Sequence, residues 1–227
     1  KSSFEANEEK TGDEGEDISK WVEWLKTLSD VDMEKELLRL KMEIGSLHFK
    51  GHHDSALTSA LKLRAAVMDT IGKDSPIYAS CVNNIALMNK LLGHNDAALD
   101  GYIEALHVYA DTVGNQHKSY ASTLSNIGIL YRTMSNDKKG MERLQLLERA
   151  EEALSDSEKI HTTLVDTAMR HREEDGGIAV KTSVSEHHRD RLLATMNLSL
   201  VRHRQSLQEV TDNEKHGRQD GKLAAEK

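Results

Sequence analysis

The chain has 227 residues and a formal net charge of -8, with 37% hydrophobic and only 4% aromatic residues. This length admits one folded domain or a short array of repeats, and the acidic balance argues against a phosphate-binding surface, so no direct contact with nucleic acid is expected. The composition is rich in helix-forming residues and contains a single proline, Pro76, which predicts an all-α protein.

The single cysteine, Cys81, excludes a disulfide framework and favours a reducing compartment, either the cytoplasm or the mitochondrial matrix. It lies in an apolar helical pattern, which is more typical of a small core residue than of a nucleophile. No run approaches the roughly 18 apolar residues of a membrane span, so no membrane insertion is expected. Because the sequence begins at Lys1, any targeting presequence would lie upstream.

The first sixteen residues are acidic and contain only Phe4 as a large apolar group, which predicts a disordered lead-in over 1–16. Asp17 can then cap a short helix whose apolar residues recur at helical spacing. We interpret this helix, which carries Trp21 and Trp24, as a lid over the end of an array of helices. The alternative is that the two tryptophans dock a partner.

A second helix is predicted to start at Asp30 or Asp32 and to stop at Gly51. The strongest feature of the sequence is an internal repeat of 42 residues. Six residue pairs match at this shift: Gly51 and Gly93, Leu57 and Leu99, Gly72 and Gly114, Ala79 and Ala121, Asn84 and Asn126, Ile85 and Ile127. Each unit predicts a first helix, a turn at its first glycine, a second helix and a loop at its second glycine. A two-helix unit cannot bury both faces alone, so neighbouring units must stack.

The predicted core consists of one apolar stripe on each helix. The first helices contribute Val82, Ile85 and Ala86, then Leu124, Ile127 and Gly128; the second helices contribute Leu57, Leu61 and Ala65, then Leu99, Tyr102, Ala105, Leu106 and Tyr109. The small residues at Ala86 and Gly128 predict close approach of neighbouring helices.

The repeat decays beyond residue 132. A shift of about three residues brings Leu147, Ala150 and Leu154 onto the apolar sites of the repeat, and a long helix is predicted to continue toward His171. A loop is predicted over 172–182, followed by a last helix that closes the array and a disordered tail over 211–227. The expected organisation is one helical-repeat domain over 17–210, with its best repeats over 37–132 and degenerate repeats or capping helices over 133–210.

The best-formed unit resembles the 42-residue tetratricopeptide repeat of kinesin light chains. The residues that carry the resemblance are Gly72, Lys73, Asp74, Pro76, Ala79, Val82 to Ala86, Gly93, Tyr102, Glu104, Ala105 and Leu106. The resemblance implies a solenoid of helical hairpins whose first helices line a concave face, and it implies binding of extended or helical peptides on that face.

The same analogy assigns a set of side chains to the concave face: Asn83, Asn84, Leu87, Lys90 and Leu91 in one repeat, and Ser122, Ser125, Asn126, Ile129 and Arg132 in the next. Asn84 and Asn126 match an asparagine that hydrogen-bonds a ligand backbone in the family; the alternative is that they brace the neighbouring helix. Some related proteins grip a carboxylate tail with basic residues, but the equivalent positions here include Met42 and Ser46, which carry no charge. A segment of modest acidity fits the predicted groove better.

Catalytic and metal-binding patterns are not recognisable in the sequence. The twelve histidines include the neighbours His187 and His188, but no HExxH or CxxC spacing accompanies them, so we expect no metal and no cofactor. The function predicted from the sequence is a non-enzymatic adaptor or scaffold that binds a protein or peptide. The alternative is a permanently bound structural subunit or assembly factor of a large complex, including one in an organelle.

Overall fold

A computed structural model describes residues 12–175 and 179–225, with side chains over 15–170 and 185–211. These residues form helices and no strand, which confirms the all-α class. The helices are α1 (Gly12–Leu25), α2 (Asp30–Phe49), α3 (His53–Thr70), α4 (Pro76–Leu91), α5 (Asn95–Thr112), α6 (Lys118–Met134), a 3-10 turn (Ser135–Asp137), α7 (Gly140–Asp175) and α8 (Ala179–Ala225). The chain divides into two compact units, Lys1–Thr123 and Leu124–Lys227.

The first unit is a succession of helical hairpins in which α2 packs on α3, α3 on α4 and α4 on α5. A serine caps the N-terminus of α2 and of α4, the first helices of two repeat units. The Oγ of Ser29 accepts a hydrogen bond from the backbone N–H of Asp32, and the Oγ of Ser75 accepts one from the backbone N–H of Tyr78, each at 3.2 Å. Pro76 occupies the first turn of α4, where its missing N–H has no helical partner to lose.

The turns between these helices repeat with the predicted period. Gly51 and Gly93 have φ angles of 80° and 82°, and Gly72 and Gly114 have 95° and 87°. The N–H of Gly72 donates to the carbonyl of Val67, and that of Gly114 to Tyr109, both at 3.0 Å. A left-handed residue that closes a helix in this way is normally glycine, because it has no Cβ. The 42-residue repeat is therefore present in the backbone as well as in the sequence.

The core of the first unit contains the predicted stripe of α4, since Val82, Ile85 and Ala86 are buried. On α3 the burial differs from the prediction: Leu57, Leu61 and Ala65 are only partly buried, and the fully covered residues include Ala56, Ala60 and Val67. Small side chains occupy the closest approach between helices, and the larger leucines fill the space beside it.

The N-terminal helix begins earlier than the sequence predicted. The expected start was Asp17, whereas α1 begins at Gly12, so residues 12–16 are helical and not part of a disordered lead-in. Acidic residues favour a helix N-terminus because they face its positive end, and an ion pair of 2.7 Å joins Glu16 to Lys20 one turn later. Residues 1–11 lie outside the described part of the chain.

The second unit contains the two longest helices, α7 with 36 and α8 with 47 residues. Leu147, Ala150 and Leu154 are fully buried, as the shifted repeat predicted, and they form a cluster with Leu198 and Val201 of α8. A hydrogen bond of 2.6 Å from Thr195 to Glu158 and an ion pair of 2.8 Å between Arg202 and Glu151 also join the two helices.

Three expectations for the C-terminal half differ from the structure. The loop predicted over 172–182 is largely helical, because α7 extends to Asp175 and α8 starts at Ala179, and residues 176–178 lie outside the description. The tail predicted as disordered over 211–227 is helical to Ala225. No proline follows Pro76, so no residue of these helices lacks the backbone N–H that a helix needs. The single domain predicted over 17–210 divides into two units, because α7 and α8 pack mainly on each other.

Candidate protein-interaction face

An exposed apolar surface lies on the first helices of the first unit. We call it the inner stripe and define it as Leu38, Met42 and Phe49 of α2 with Asn84, Leu87 and Leu91 of α4. Spacings of three, four and seven residues place the members of each helix on one helical face. Leu38, Met42 and Phe49 are 57–92% exposed, although they flank Leu40 and Ile44, which are buried against Ile85 of α4.

Two neighbouring asparagines on α4 have different surroundings. The Oδ1 of Asn83 accepts a hydrogen bond of 3.2 Å from the hydroxyl of Thr123, so this residue braces the start of α6. Asn84 is partly buried, and no side-chain hydrogen bond joins it to another described residue. A carboxamide can donate and accept at once, so Asn84 is the polar group of the inner stripe that a ligand backbone could use.

The other two predicted residues of α4 are also partly buried. Lys90 already interacts with another residue, whereas Leu87 lies between Asn84 and Leu91 on the same face. The structure therefore brings Asn84 and Leu87 together on one surface and gives Asn83 an internal role.

In the second unit, the predicted residues of α6 are all partly buried. Ser125 forms a hydrogen bond of 2.7 Å with Ser157, which is fully buried in α7. Asn126 also has an interaction partner, and Ile129 is partly buried. Burial lowers the pKa of Arg132, and the nearby charge of Arg204 lowers it further. These side chains therefore form a less exposed surface than Leu38, Met42 and Phe49 of the inner stripe.

The two tryptophans of α1 differ in exposure. Trp21 packs partly buried against the core cluster of α2, α3 and α4, as a lid would. Trp24 is 47% exposed and remains a candidate for docking a partner. An ion pair of 2.9 Å between Lys26 and Asp69 joins the end of α1 to α3.

Leu38 and Phe49 are members of the inner stripe that the sequence did not predict. Met42 entered the prediction only as an uncharged residue where a carboxylate clamp needs a basic one. A sequence signal for them exists. A shift of 42 residues places Phe49 on Leu91 and Met42 on Asn84. Leu38, Met42 and Phe49 also fall outside the core stripe that contains Leu40 and Ile44.

Neither a metal site nor a membrane span is formed by the residues that the structure describes. There, no group of three or more His, Cys, Asp or Glu side chains is arranged to hold a metal ion. None of the helices in the same ranges is both long and apolar enough to cross a membrane. A shallow depression, open to solvent, is lined by Glu148, Glu151, Glu152, Ser155, Asp156 and Lys159. It contains neither a histidine nor a cysteine, and its acidic side chains lie on α7 alone.

His161 of α7 is the buried titratable group with the clearest consequence for stability. Its side chain is fully covered and its Nδ1 has no hydrogen-bond partner among the described residues. Burial lowers its pKa, and His187 lowers it further, while Asp190 opposes the shift. Below about pH 6.5 the unfolded chain therefore binds a proton that the folded chain does not.

We expect the free energy of unfolding to fall as the pH is lowered from 7 through 6.5 toward the depressed pKa of His161. Urea unfolding at pH 7 and pH 5 measures this difference, and the variant His161→Leu should show a smaller one. His188, which is exposed on α8, offers the matched control His188→Leu. An equal pH dependence in the wild type and in His161→Leu would rule out His161 as its source.

Comparison with solved structures places these features in a known fold. The crystal structure of BtubC (BKLC) from P. vanneervenii is 16% identical to this chain, with a TM-score of 0.52 over 90% of this chain and 76% of that one. This chain has a tetratricopeptide-like fold. A Podosopora anserina protein described by its nearly identical TPR-like repeats of kinesin light chain type is 14% identical, with a TM-score of 0.42 over 74% of this chain and 93% of that one.

The likeness to these tetratricopeptide-like proteins concerns the fold alone, because the sequence identities are low. A substituted variant of the Podosopora anserina protein gives a TM-score of 0.41 and 14% identity over 77% of this chain and 96% of that one. No protein-family model and no curated protein matches the sequence. The tetratricopeptide-like architecture that the resemblance implied is confirmed by the fold match with a TM-score of 0.52.

Proposed function

We propose that this tetratricopeptide-like chain is a non-enzymatic protein-interaction scaffold that binds a peptide or helix of a partner on its inner stripe. The observation that supports the proposal is the exposure of Leu38, Met42 and Phe49 on one face of α2. Met42 and Phe49 stand one 42-residue repeat before Asn84 and Leu91 of α4. An exposed apolar helical face of this kind is typical of an interaction site.

The side chains of the inner stripe fit a partner segment with a few apolar anchors. Met42 and Leu87 would contact the anchors, and Asn84 would hydrogen-bond the backbone or a polar side chain between them. Burial raises the pKa of the Cys81 thiol, and the charges of Arg64 and Lys41 oppose that rise, so positive charge is present beside α4. A partner segment of modest acidity therefore fits better than a basic one.

The double variant Met42→Lys with Asn84→Ala tests the inner stripe. We expect it to weaken partner binding by at least about tenfold, because it places a charge among the apolar anchors and removes the free carboxamide. Proteins captured from native extract by the wild-type chain are identified, and the affinity of the strongest one is then measured by titration calorimetry against both chains.

The matched control is Met68→Lys with Gln116→Ala, because Met68 is exposed on the second helix α3 and Gln116 is exposed in a loop. Both double variants should keep the helical circular dichroism of the wild type. Equal weakening by the control would show a general effect of charge, and unchanged affinity of the test variant would exclude the inner stripe as the binding face.

A permanently bound structural subunit or assembly factor is the second candidate function. It is favoured by Trp24, an aromatic side chain that α1 leaves half-exposed although the neighbouring Trp21 and Val22 pack inward. The size of the native protein in gently lysed cells separates the two functions. A scaffold with exchangeable partners is found partly free, whereas a permanent subunit elutes only in a large complex.

A further inference from the structure

The last described helix, α8, has two apolar faces, of which only one is covered. Ala194, Leu198 and Val201 are buried in the second unit. A second set of residues forms what we call the outer stripe: Leu193, Met196, Leu200, His203, Leu207 and Val210. The five apolar members are 43–54% exposed, and His203 is exposed as well.

The outer stripe has the spacing of a coiled-coil seam. Its members alternate between steps of three and four residues from 193 to 210, which assigns Leu193, Leu200 and Leu207 to one core position of a heptad and Met196, His203 and Val210 to the other. At 1.5 Å per residue this seam is about 26 Å long. Isolated exposed apolar residues need no explanation, but a continuous apolar seam of this length is typical of an interaction surface.

We propose that the outer stripe binds the outer stripe of a second copy of this chain, with the two α8 helices antiparallel. This arrangement places Leu193 opposite Val210 of the second copy, Met196 opposite its Leu207, and Leu200 opposite its His203. Every position of the seam is then matched, and the two-fold symmetry is the one that most protein dimers have.

The histidine and the charges at the ends of the seam favour an antiparallel pair over a parallel one. In a parallel pair, Arg189 would face Arg189, which sets like charges against each other, and the polar His203 would face His203 in the seam. In the antiparallel pair, His203 packs on a leucine. The exposed Arg189 is the core position of the heptad four residues before Leu193. In the antiparallel pair it lies opposite position 214, which is a glutamate in the sequence.

The residues beside the seam do not oppose the pairing. Antiparallel geometry brings Ser199 of one copy near Ser206 of the other, and Asn197 near Arg204. The hydroxyl of Ser199 bonds to the carbonyl of Thr195, and the amide of Asn197 donates to the carbonyl of Leu193, so both are satisfied within α8. No like charges meet along the flanks, and the apolar surfaces can close without leaving a charge unpaired.

Analytical ultracentrifugation of the purified chain tests the proposal directly. We expect a species of twice the 25.4 kDa chain mass at micromolar concentration. The double variant Met196→Lys with Leu200→Lys should weaken this dimer by at least about 100-fold, because four charges would enter the apolar seam. Met141→Lys is the matched control, since Met141 is exposed on α7 outside the outer stripe.

Cysteine cross-linking tests the orientation, in a Cys81→Ala background. A chain with both Leu193→Cys and Val210→Cys should form a covalent dimer on oxidation, whereas each single-cysteine chain should not, because like residues lie about 26 Å apart in the antiparallel pair and a disulfide needs Cα atoms within about 7 Å. Efficient cross-linking of either single-cysteine chain would contradict the antiparallel arrangement.

A wild-type chain that remains monomeric up to 100 μM, or a dimer that the lysine variant does not disturb, would overturn the proposal. The lysine variant should keep the helical circular dichroism of the wild type, because exposed positions accept lysine without loss of helix. The outer stripe and the inner stripe have no residue in common, so partner binding and dimer formation are measured independently.

Discussion

Replacement of Gly128 by alanine is expected to lower the free energy of unfolding by about 2 kcal/mol. A Cβ built on Gly128 comes to 2.5 Å from Cγ of Leu154 and 3.0 Å from the backbone oxygen of Ala150. The leucine is fully buried and the carbonyl belongs to α7, so neither can move aside freely. The overpacking outweighs the gain of about 1 kcal/mol that alanine brings to the interior of a helix.

Gly45→Ala is the matched control, because Gly45 is also helical but has no atom within 4 Å of the position of its Cβ. This variant should stabilise the protein by about 1 kcal/mol through helix propensity alone. Urea unfolding followed by circular dichroism measures both changes. If the two variants had the same stability, helix α7 would not approach Gly128 as closely as the structure shows.

The thiol of Cys81 is expected to react about 200-fold more slowly in the folded chain than in the unfolded chain at pH 8. Burial raises its pKa to about 11, although the charges of Arg64 and Lys41 oppose the shift. At pH 8 about 0.1% of such a thiol is ionised, against about a quarter of an ordinary cysteine, and the thiolate is the reactive form.

The rate of reaction with a disulfide reagent, measured by absorbance with and without denaturant, gives this ratio directly. The chain contains no other cysteine, so the signal belongs to Cys81 alone. Burial also hinders access of the reagent, so the real ratio should exceed the value from the pKa. A native rate within tenfold of the denatured rate would show that this side chain is accessible and could serve as a nucleophile.

The repeats of the first unit could be predicted from the sequence because glycine marks their turns. Gly51, Gly72, Gly93 and Gly114 all have the positive φ angles that such turns require, so their spacing carried the architecture. The misplaced helix ends, at Gly12, Asp175 and Ala225, are not marked by a described glycine of positive φ. Polar segments such as 211–225 contain good helix formers, and a polar composition alone does not separate a solvated helix from a disordered chain.

The candidate site was only partly predictable, for a different physical reason. Spacing indicates which face of a helix a residue occupies, but it does not show what lies opposite that face. Asn83 and Ser125 were placed on the concave side by analogy, yet each bonds to a side chain of a neighbouring helix. At Met42 the sequence showed only that the basic side chain of a carboxylate clamp is absent. The exposure of Met42 depends on the helices beside it, which the sequence pattern does not show.

The contacts of the first unit also influence the order in which parts of the protein fold during synthesis. Each hairpin from α2 to α5 packs on the helix that follows it in sequence, so few contacts wait for distant parts of the chain. Units with such local contacts fold quickly, and N-terminal units fold first during synthesis. The inner stripe lies on α2 and α4, and we therefore expect it to be complete while the ribosome is still translating α8. A partner could then bind the nascent chain before the outer stripe exists.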